Sequence, residues 1–399
     1  MKKILLLLMF ISALPTMAQE KNEELYITAD QVLQRASQQY KYMMTLLSDD
    51  RFPKTYHSEN DTFETSDSGW WCSGFYPGVL LYLNEDHPDD ELKKEADRVM
   101  TLLSKEQFNK GTHDLGFMMY CSFGNAERLN PSEEYEEILM NSARSLASRF
   151  NETVGCIRSW DSRNDDFLVI IDNMMNLELL FWATEHSGDS TYYDIAVRHA
   201  DVTMENHFRA DNSSYHVLNY DVNTGKVREK KTAQGFADAS AWARGQAWGL
   251  YGYTVMYRAT GQQKYLDQAV KIADFILNHP DLPADKVPYW DFDAPDIPDA
   301  LRDSSAGAIM ASALLELKDY VKKRKAKKYA ATAAEILVTL TTGEYIASPR
   351  TNGGFLLKHG VGHIPQNSEV DVPLTYGDYY LVEALLRYKS DRAKTQSDR

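Results

Sequence analysis

This 399-residue chain is predicted to be all-α, an (α/α)6 barrel with six inner and six outer helices. Helical periodicity recurs along nearly the whole chain, whereas strand-like runs are scarce. The predicted helices also alternate in character: every second one is rich in Gly, Ala and large apolar residues, and the others carry a charged face. Because helices that are apolar all round are buried and amphipathic ones lie at a surface, the alternation indicates one ring of helices inside another.

The twelve predicted helices divide evenly between the two rings. The inner helices are expected at 71–84, 114–129, 174–186, 240–260, 304–320 and 376–390. The outer helices are expected at 29–48, 88–108, 132–150, 190–208, 263–279 and 325–341. No Pro/Gly/Ser-rich linker divides them, so residues 19–399 are expected to form a single domain that ends in a frayed polar tail, 390–399. The run 214–221, followed by Asn223-Thr224-Gly225, predicts a hairpin that folds over the barrel mouth.

The first residues, 1–18, have the pattern of a secretory signal peptide. Two lysines precede the apolar run 4–14, and the small residues after it predict cleavage behind Ala18. The run is too short to span a membrane. The first cysteine is Cys72, so no lipid is expected on a new N-terminal cysteine. We therefore expect an exported protein, located in the periplasm rather than fully secreted.

Composition excludes several classes of partner and site. The net charge of −15 disfavours nucleic acids and anionic membranes. The aromatic content of 12% suits sugar rings, although Tyr and Trp also build ordinary cores. The cysteines show no metal-binding spacing. His359 and His363 are four residues apart, but the glycines between them argue against a helix that presents both to a metal. We expect no metal and no cofactor.

Two acids stand where inner helices begin. Asp172 follows the apolar run 169–171 and precedes a helix that is apolar on nearly all sides, and Asp114 has the same setting. Burial raises the pKa of a carboxyl, as a general acid requires. Alternatively, each acid only caps its helix, and accepting backbone N–H bonds would lower its pKa. Because all inner helices of such a barrel begin at one mouth, both acids are predicted to share a cavity, as the paired carboxyls of glycosidases do.

Other side chains near the predicted mouth suit a sugar acid. His113 and His216 are candidates for donating to a ligand or assisting proton transfer, although a lone histidine is usually structural. Arg244, at a helix start, is placed to grip a carboxylate in a forked pair, with Trp242 or Trp248 as a sugar platform. The alternative is a structural arginine paired with Asp238 and two core tryptophans.

Several of these segments resemble glycoside hydrolase family 88, the unsaturated glucuronyl hydrolases. The segments that carry the resemblance are 69–78, 113–117, 171–176 and 242–248. The carboxy-terminal segments 361–365, 367–374 and 376–380 also look like the exported Bacteroidetes members of the family. The resemblance covers nearly the whole mature chain in order, which makes it specific for the family and less so for the substrate.

The resemblance implies a substrate, a reaction and roles for residues. The substrates are glycosaminoglycan oligosaccharides (chondroitin, hyaluronan or heparin type) left by lyases, which carry a 4,5-unsaturated uronic acid at the non-reducing end. The reaction is hydration of a vinyl ether, after which the hemiketal opens and the glycosidic bond is lost. Asp172 is implied as the acid/base that protonates C4 and helps water add at C5, with Asp114 as the second essential acid. The implied substrate contacts are Trp71, His113, Asn173, His216, Gln234, Trp242, Arg244 and Trp248.

One departure from the family pattern and two rival functions stay open. Some relatives place a tyrosine at the active-site wall where Val361 stands here, which leaves open the subsite for the second sugar and the tolerance of sulfate. An unsaturated rhamnogalacturonyl hydrolase has the same barrel and chemistry. A non-catalytic glycan-binding toroid has the same shape but gives no reason for two buried acids.

Overall fold

The computed structural model describes residues 17–161 and 166–397, so the predicted signal peptide lies almost entirely outside the described residues. The helices follow one another as α1 (Met17–Met44), α2 (Phe75–Asp86), α3 (Asp90–Leu103), a π-helix (Gly116–Gly124) continued by α4 (Asn125–Leu129), α5 (Glu133–Ala147), a 3-10 helix (Ile171–Asn176) before α6 (Glu178–Ser187), α7 (Ser190–Asn206), α8 (Ala243–Thr260), α9 (Gln263–Asn278), α10 (Ser304–Leu317), α11 (Lys323–Leu340) and α12 (Thr375–Ser397). Each of the twelve predicted helices is present.

The inner helices close into a ring. Going round it, α2 packs on the π-helix, which packs on the 3-10 helix and α6; α8, α10 and α12 follow, and α12 returns to α2. Burial agrees with this placement, since α8 is buried continuously from Ala243 to Met256. The outer helix α3 instead buries one stripe, from Leu92 to Leu103 at helical spacing. The predicted (α/α)6 barrel is confirmed.

Local chemistry explains where many helices begin and end. Side chains of Asp89, Ser132 and Asp189 accept backbone N–H bonds at the starts of the outer helices α3, α5 and α7. Gly188 and Gly261 adopt the left-handed conformation that ends α6 and α8. By contrast, α2, the 3-10 helix and α8 begin without any side-chain cap. Their first N–H groups donate to backbone carbonyls instead: Phe75 to Cys72, Ile171 to His216 and Ala243 to Trp290.

Short antiparallel strands lie between the helices. They are β1 (Phe52–His57) with β2 (Thr62–Ser66), β3 (Phe150–Asn151) with β4 (Cys156–Ile157), β5 (Asp166–Ile170) with β6 (Val217–Asp221) and β7 (Val227–Lys231), and β8 (Gly360–His363) with β9 (Ser368–Val372). The predicted hairpin is β6–β7, and its turn includes Gly225. The third strand, β5, was not predicted, because a short apolar run reads equally as a buried strand or as part of a buried helix.

Two predicted boundaries were wrong. The last helix, α12, continues to Ser397, so the tail predicted to fray from 390 is helical up to that residue. The first helix already begins at Met17. None of the helices within the described ranges is long and apolar enough to cross a membrane.

Candidate active site

One buried asparagine, Asn176, connects the two helix starts that carry Asp114 and Asp172. Asn176 lies in the 3-10 helix that carries Asp172, and its Oδ1 accepts the N–H of Phe117 at 3.0 Å. Gly116 packs so closely there that an added Cβ would lie 2.4 Å from the Asn176 Cα. The first turns that carry Asp114 and Asp172 are thereby held against each other. This role was not predicted, because Asn176 is only one polar residue in an apolar run.

Asp172 is a buried acid with a raised pKa. Only 8% of the residue is exposed, and Oδ2 has no hydrogen-bond partner among the described residues. Burial, with a smaller contribution from the charge of Asp114, raises the pKa of Asp172 to about 7. The Arg244 charge, the backbone N–H of Asp172 and the Trp248 indole act in the opposite direction. The capping alternative requires a lowered pKa and therefore does not describe Asp172.

Asp114 lies in a polar corner of the same mouth. The Thr112 hydroxyl donates to its Oδ2 at 2.9 Å, and Nε2 of His113 lies 3.3 Å from Oδ1. His113 is buried, and burial lowers its pKa, so its imidazole is neutral near pH 7. A neutral imidazole therefore adjoins Asp114, while burial favours the protonated form of Asp172.

Two backbone N–H groups determine which tautomer His216 adopts. Its Nδ1 accepts the N–H groups of Ala233 and Gln234 at 3.1 and 3.2 Å, so the ring proton is on Nε2. That Nε2 lies 3.7 Å from Oδ2 of Asp172. Burial, together with the charge of Arg244, lowers the pKa of His216 well below its usual value. His216 therefore directs a neutral N–H donor toward the acid.

Arg244 is paired differently from either prediction. Its terminal nitrogens donate to Asp303 at 3.0 Å, to the carbonyl of Val361 and to that of Gly362 at 2.8 Å. The alternative prediction, a structural pair between Arg244 and Asp238, was wrong. Nε has no partner among the described residues, and Nη2 makes a single hydrogen bond, so that edge of the guanidinium keeps donors for a substrate carboxylate. Gln234 also donates to the Gly362 carbonyl, at 3.0 Å, so both side chains hold strand β8 in place.

Comparisons with known proteins agree with this site. No family model matches the chain. An unsaturated glucuronyl hydrolase of Formosa agariphila is 47% identical over 339 residues, 84% of this chain and 84% of the relative. The chain belongs to the unsaturated glucuronyl hydrolase family. The predicted membership is confirmed, and the protein is a glycoside hydrolase.

Two solved structures of the family extend the comparison. A crystal structure of an unsaturated glucuronyl hydrolase specific for heparin has a TM-score of 0.89 and 46% identity, covering 92% of this chain and 98% of that one. A mutant of the Streptococcus agalactiae enzyme, complexed with dGlcA-GalNAc6S, has a TM-score of 0.79 and 29% identity, covering 92% of each chain. The barrel fold is thus shared over nearly the whole chain.

The aromatic residues of this glycoside hydrolase occupy different depths. Trp71 is half-buried, and its ring lies 4.9 Å from that of Tyr376 and 5.5 Å from that of Phe117. Trp242 is buried, and its ring lies 4.4 Å from the imidazole of His216. Trp248 has no exposed surface and offers no face to a sugar, so it is a core tryptophan. Of these three tryptophans, Trp71 is the one that retains an exposed portion.

The two remaining predicted positions also lie behind the cavity surface. Asn173 is fully buried and donates to the Ile157 carbonyl at 2.9 Å and to Ser159 Oγ at 3.3 Å. Val361 is buried in a small cluster with Trp290 and Ala294, so its side chain does not form the wall. The mouth therefore unites Asp114, His113, Asp172, His216 and Trp71, with Trp242 beneath His216; Asn173, Gln234, Arg244 and Trp248 support it from behind.

Proposed function

We propose that this hydrolase removes the 4,5-unsaturated uronic acid from the non-reducing end of lyase-generated glycosaminoglycan oligosaccharides. The observation that carries the proposal is a buried acid, Asp172, whose pKa is raised to about 7 beside a second acid at the barrel mouth. The names of its relatives support the substrate class: one is described as specific for heparin, and another was crystallised with dGlcA-GalNAc6S.

The geometry suits hydration of the vinyl ether. Protonated Asp172 delivers its proton to C4 of the unsaturated ring, and the resulting carboxylate then accepts a proton from the water that adds at C5. His216 keeps its own proton throughout, because its pKa is too low for it to act as an imidazolium and its Nδ1 is engaged. Its Nε2–H is placed to stabilise the Asp172 carboxylate. The hemiketal then opens and the glycosidic bond is lost.

The proposal includes export to the periplasm. Two lysines, the apolar run 4–14 and small residues up to Ala18 support a cleaved signal peptide. Cell fractionation and N-terminal sequencing of the mature protein test this part. A mature protein that begins at residue 19 in the periplasmic fraction is expected, and an uncleaved chain in the cytoplasm would contradict it.

The replacement of Asp172 by Asn tests the mechanism. An amide cannot protonate C4, so we expect turnover, followed as loss of the alkene absorbance of unsaturated disaccharides, to fall about 10³-fold. Helical circular dichroism should not change. Asp189→Asn is the matched control, since Asp189 also begins a helix but caps it at the surface, and it should retain activity within about twofold. Near-wild-type turnover by Asp172→Asn would remove Asp172 from the mechanism.

A panel of unsaturated disaccharides tests the substrate. We expect alkene loss with chondroitin- or heparin-derived disaccharides. Alkene loss only with the rhamnogalacturonan-derived disaccharide would establish the rival hydrolase class. Ligand-dependent melting shifts without alkene loss would instead establish a glycan-binding toroid.

A further inference from the structure

Arg149, a buried arginine like Arg244, lies between the two segments that lead to the acids. It follows α5, and only 9% of the residue is exposed. Its Nη1 donates to the carbonyl of Lys110, four residues before Asp114. This hydrogen bond joins positions 39 residues apart, so it does more than close a local turn.

The same guanidinium binds the segment that follows β4. Its Nε donates to the carbonyl of Arg158 at 2.9 Å, and its Nη2 donates to that of Ser159 at 3.2 Å. Nη2 also lies 3.0 Å from Oδ1 of Asp161, but 60% of that side chain is exposed, and ion pairs exposed to water contribute little. The bonds to backbone carbonyls are therefore the main contacts of Arg149.

Ser159 continues the connection to Asp172. Its hydroxyl accepts the N–H of Ile170 at 3.0 Å and the side-chain amide of Asn173 at 3.3 Å, and these residues lie on either side of the acid in the chain. The N–H of Ser159 donates to the carbonyl of Leu168 in β5 at 2.8 Å. A displacement of Ser159 would therefore be transmitted to the turn that carries Asp172.

The charge of Arg149 also acts on the mouth. Burial, with a smaller contribution from the charge of Arg149, lowers the pKa of His113, whereas the charge of Asp114 opposes the shift. The Nε2 atom of His113 lies 3.3 Å from Oδ1 of Asp114. Arg149 thus lies near the mouth, although its own hydrogen bonds within residues 17–161 and 166–397 reach neither acid.

We propose that Arg149 is a positioning residue that sets the separation of Asp114 and Asp172. It holds the backbone at Lys110 on one side and at Ser159 on the other. The inference rests on the proposed function, in which both acids act on one uronate. Because a displacement of about 1 Å at a reacting centre can lower the rate about 100-fold, a loosened connection between the two segments should slow the reaction more than it weakens binding.

The test removes the guanidinium and then supplies it from solution. In Arg149→Ala, kcat for an unsaturated disaccharide, followed as alkene loss, should fall about 100-fold, with a change in KM below about threefold. Arg149 borders a cavity of about 500 Å³, through which a small cation can reach the position of the removed group. Millimolar guanidinium should therefore raise kcat of this variant at least about 10-fold, whereas ammonium should not, because it lacks the planar set of donors. Neither ion should change the wild-type kcat.

Two further variants separate the hydrogen bonds from the charge and from general effects on α5. Arg149→Lys keeps the charge but cannot bond three carbonyls at once, so kcat should fall about 10-fold or more. Arg144→Ala is the matched control, because Arg144 lies on the same helix but is exposed and bonds to Asn141, three residues away. Its kcat should stay within about twofold of wild type, without a response to guanidinium.

The outcomes that would overturn the inference are distinct from a failure of the proposed function. A kcat of Arg149→Ala within about threefold of wild type would overturn it, and so would a lowered kcat that guanidinium does not restore, which would make Arg149 structural only. If Arg149→Ala does not fold, Arg149→Lys and Ser159→Ala decide, and unchanged kcat in both would overturn the inference. Absence of alkene loss in the wild-type enzyme would instead contradict the proposed function.

Discussion

Two of the buried carboxyls in the described barrel, Asp172 and Glu383, lie at different depths and have opposite surroundings. Glu383 lies about two turns beyond the start of α12. It accepts the hydroxyls of Tyr82 at 3.1 Å, Tyr251 at 2.8 Å and Ser312, and lies 3.6 Å from Arg387. At the mouth, Oδ2 of Asp172 accepts no hydrogen bond from the described part of the chain.

The difference separates a structural acid from a reactive one. Each donor to Glu383 comes from a different inner helix, so the carboxylate ties α2, α8, α10 and α12 together. Asp172 has a free oxygen and a neutral histidine N–H 3.7 Å away, and its pKa is raised to about 7. Saturated bonding stabilises the barrel, whereas unsatisfied bonding leaves capacity for a substrate.

The largest expected effect is on stability, and it should differ between substitutions of Glu383 and Asp172. Glu383→Ala should lower the free energy of unfolding by about 3–5 kcal/mol, because it leaves three buried hydroxyls without their acceptor and removes one of the two acids near Arg387. Asp172→Asn should cause no loss. Because the folded-state pKa of Asp172 is raised, its ionised form is unfavourable in the folded protein, and the substitution should even stabilise it above pH 7. Urea unfolding measures both, and equal losses would contradict the distinction.

A second effect concerns Arg244 and Gln234, which hold strand β8 through its carbonyls. Lysine cannot span Asp303 and the two β8 carbonyls, so Arg244→Lys should lower kcat/KM about 100-fold and destabilise the fold by about 2 kcal/mol. Gln234→Ala removes one of two donors to the Gly362 carbonyl and should cost about threefold. Steady-state kinetics and thermal melting test the pair. A loss confined to KM, with unchanged melting, would instead favour direct contact between Arg244 and the substrate.

A third effect concerns His216, the neutral N–H donor near Asp172. His216→Gln retains an acceptor for the backbone N–H groups but not the imidazole N–H near Asp172, so kcat should fall about 10- to 100-fold with a smaller change in KM. Measuring kcat and KM with one unsaturated disaccharide tests this. An unchanged kcat with a raised KM would make His216 a substrate-binding residue only.

The smallest expected effect is a shift in pH dependence. Asp172 must hold its proton to act as the acid, so kcat/KM should fall as pH rises through about 7. Asp114→Asn removes a negative charge that raises the pKa of Asp172, so the residual activity should lose its high-pH limb at a lower pH, by less than about one unit. The pH profiles of both proteins provide the measurement, and a limb that moves upward would show that Asp114 does not act through charge.

Local pattern was sufficient for much of the fold and for the two acids. The continuous apolar character of 240–260 predicted an inner helix, and α8 is buried in this way. Asp114 and Asp172 were recognised because each precedes an apolar helix, a feature readable within about ten residues. Strand β5 was missed for the same reason, since its pairing with β6 involves residues far away in the chain.

Contacts between residues that are far apart in the sequence could not be predicted from local pattern. Arg244 pairs with Asp303, 59 positions away, whereas the local candidate Asp238 was wrong. Asn176 likewise acts only through its contact with Phe117.

The sequence by itself determined the alternation of helices, the family and the positions of the two acids, because each depends on the order of apolar and polar residues along a short stretch. The tertiary structure alone decided which polar atoms are satisfied. Hydrogen-bond saturation depends on groups brought together from different helices: several of them donate to Glu383, whereas Asp172 is buried with a raised pKa and an Oδ2 that no described residue reaches. That difference arises only when the ring closes and excludes water from the mouth.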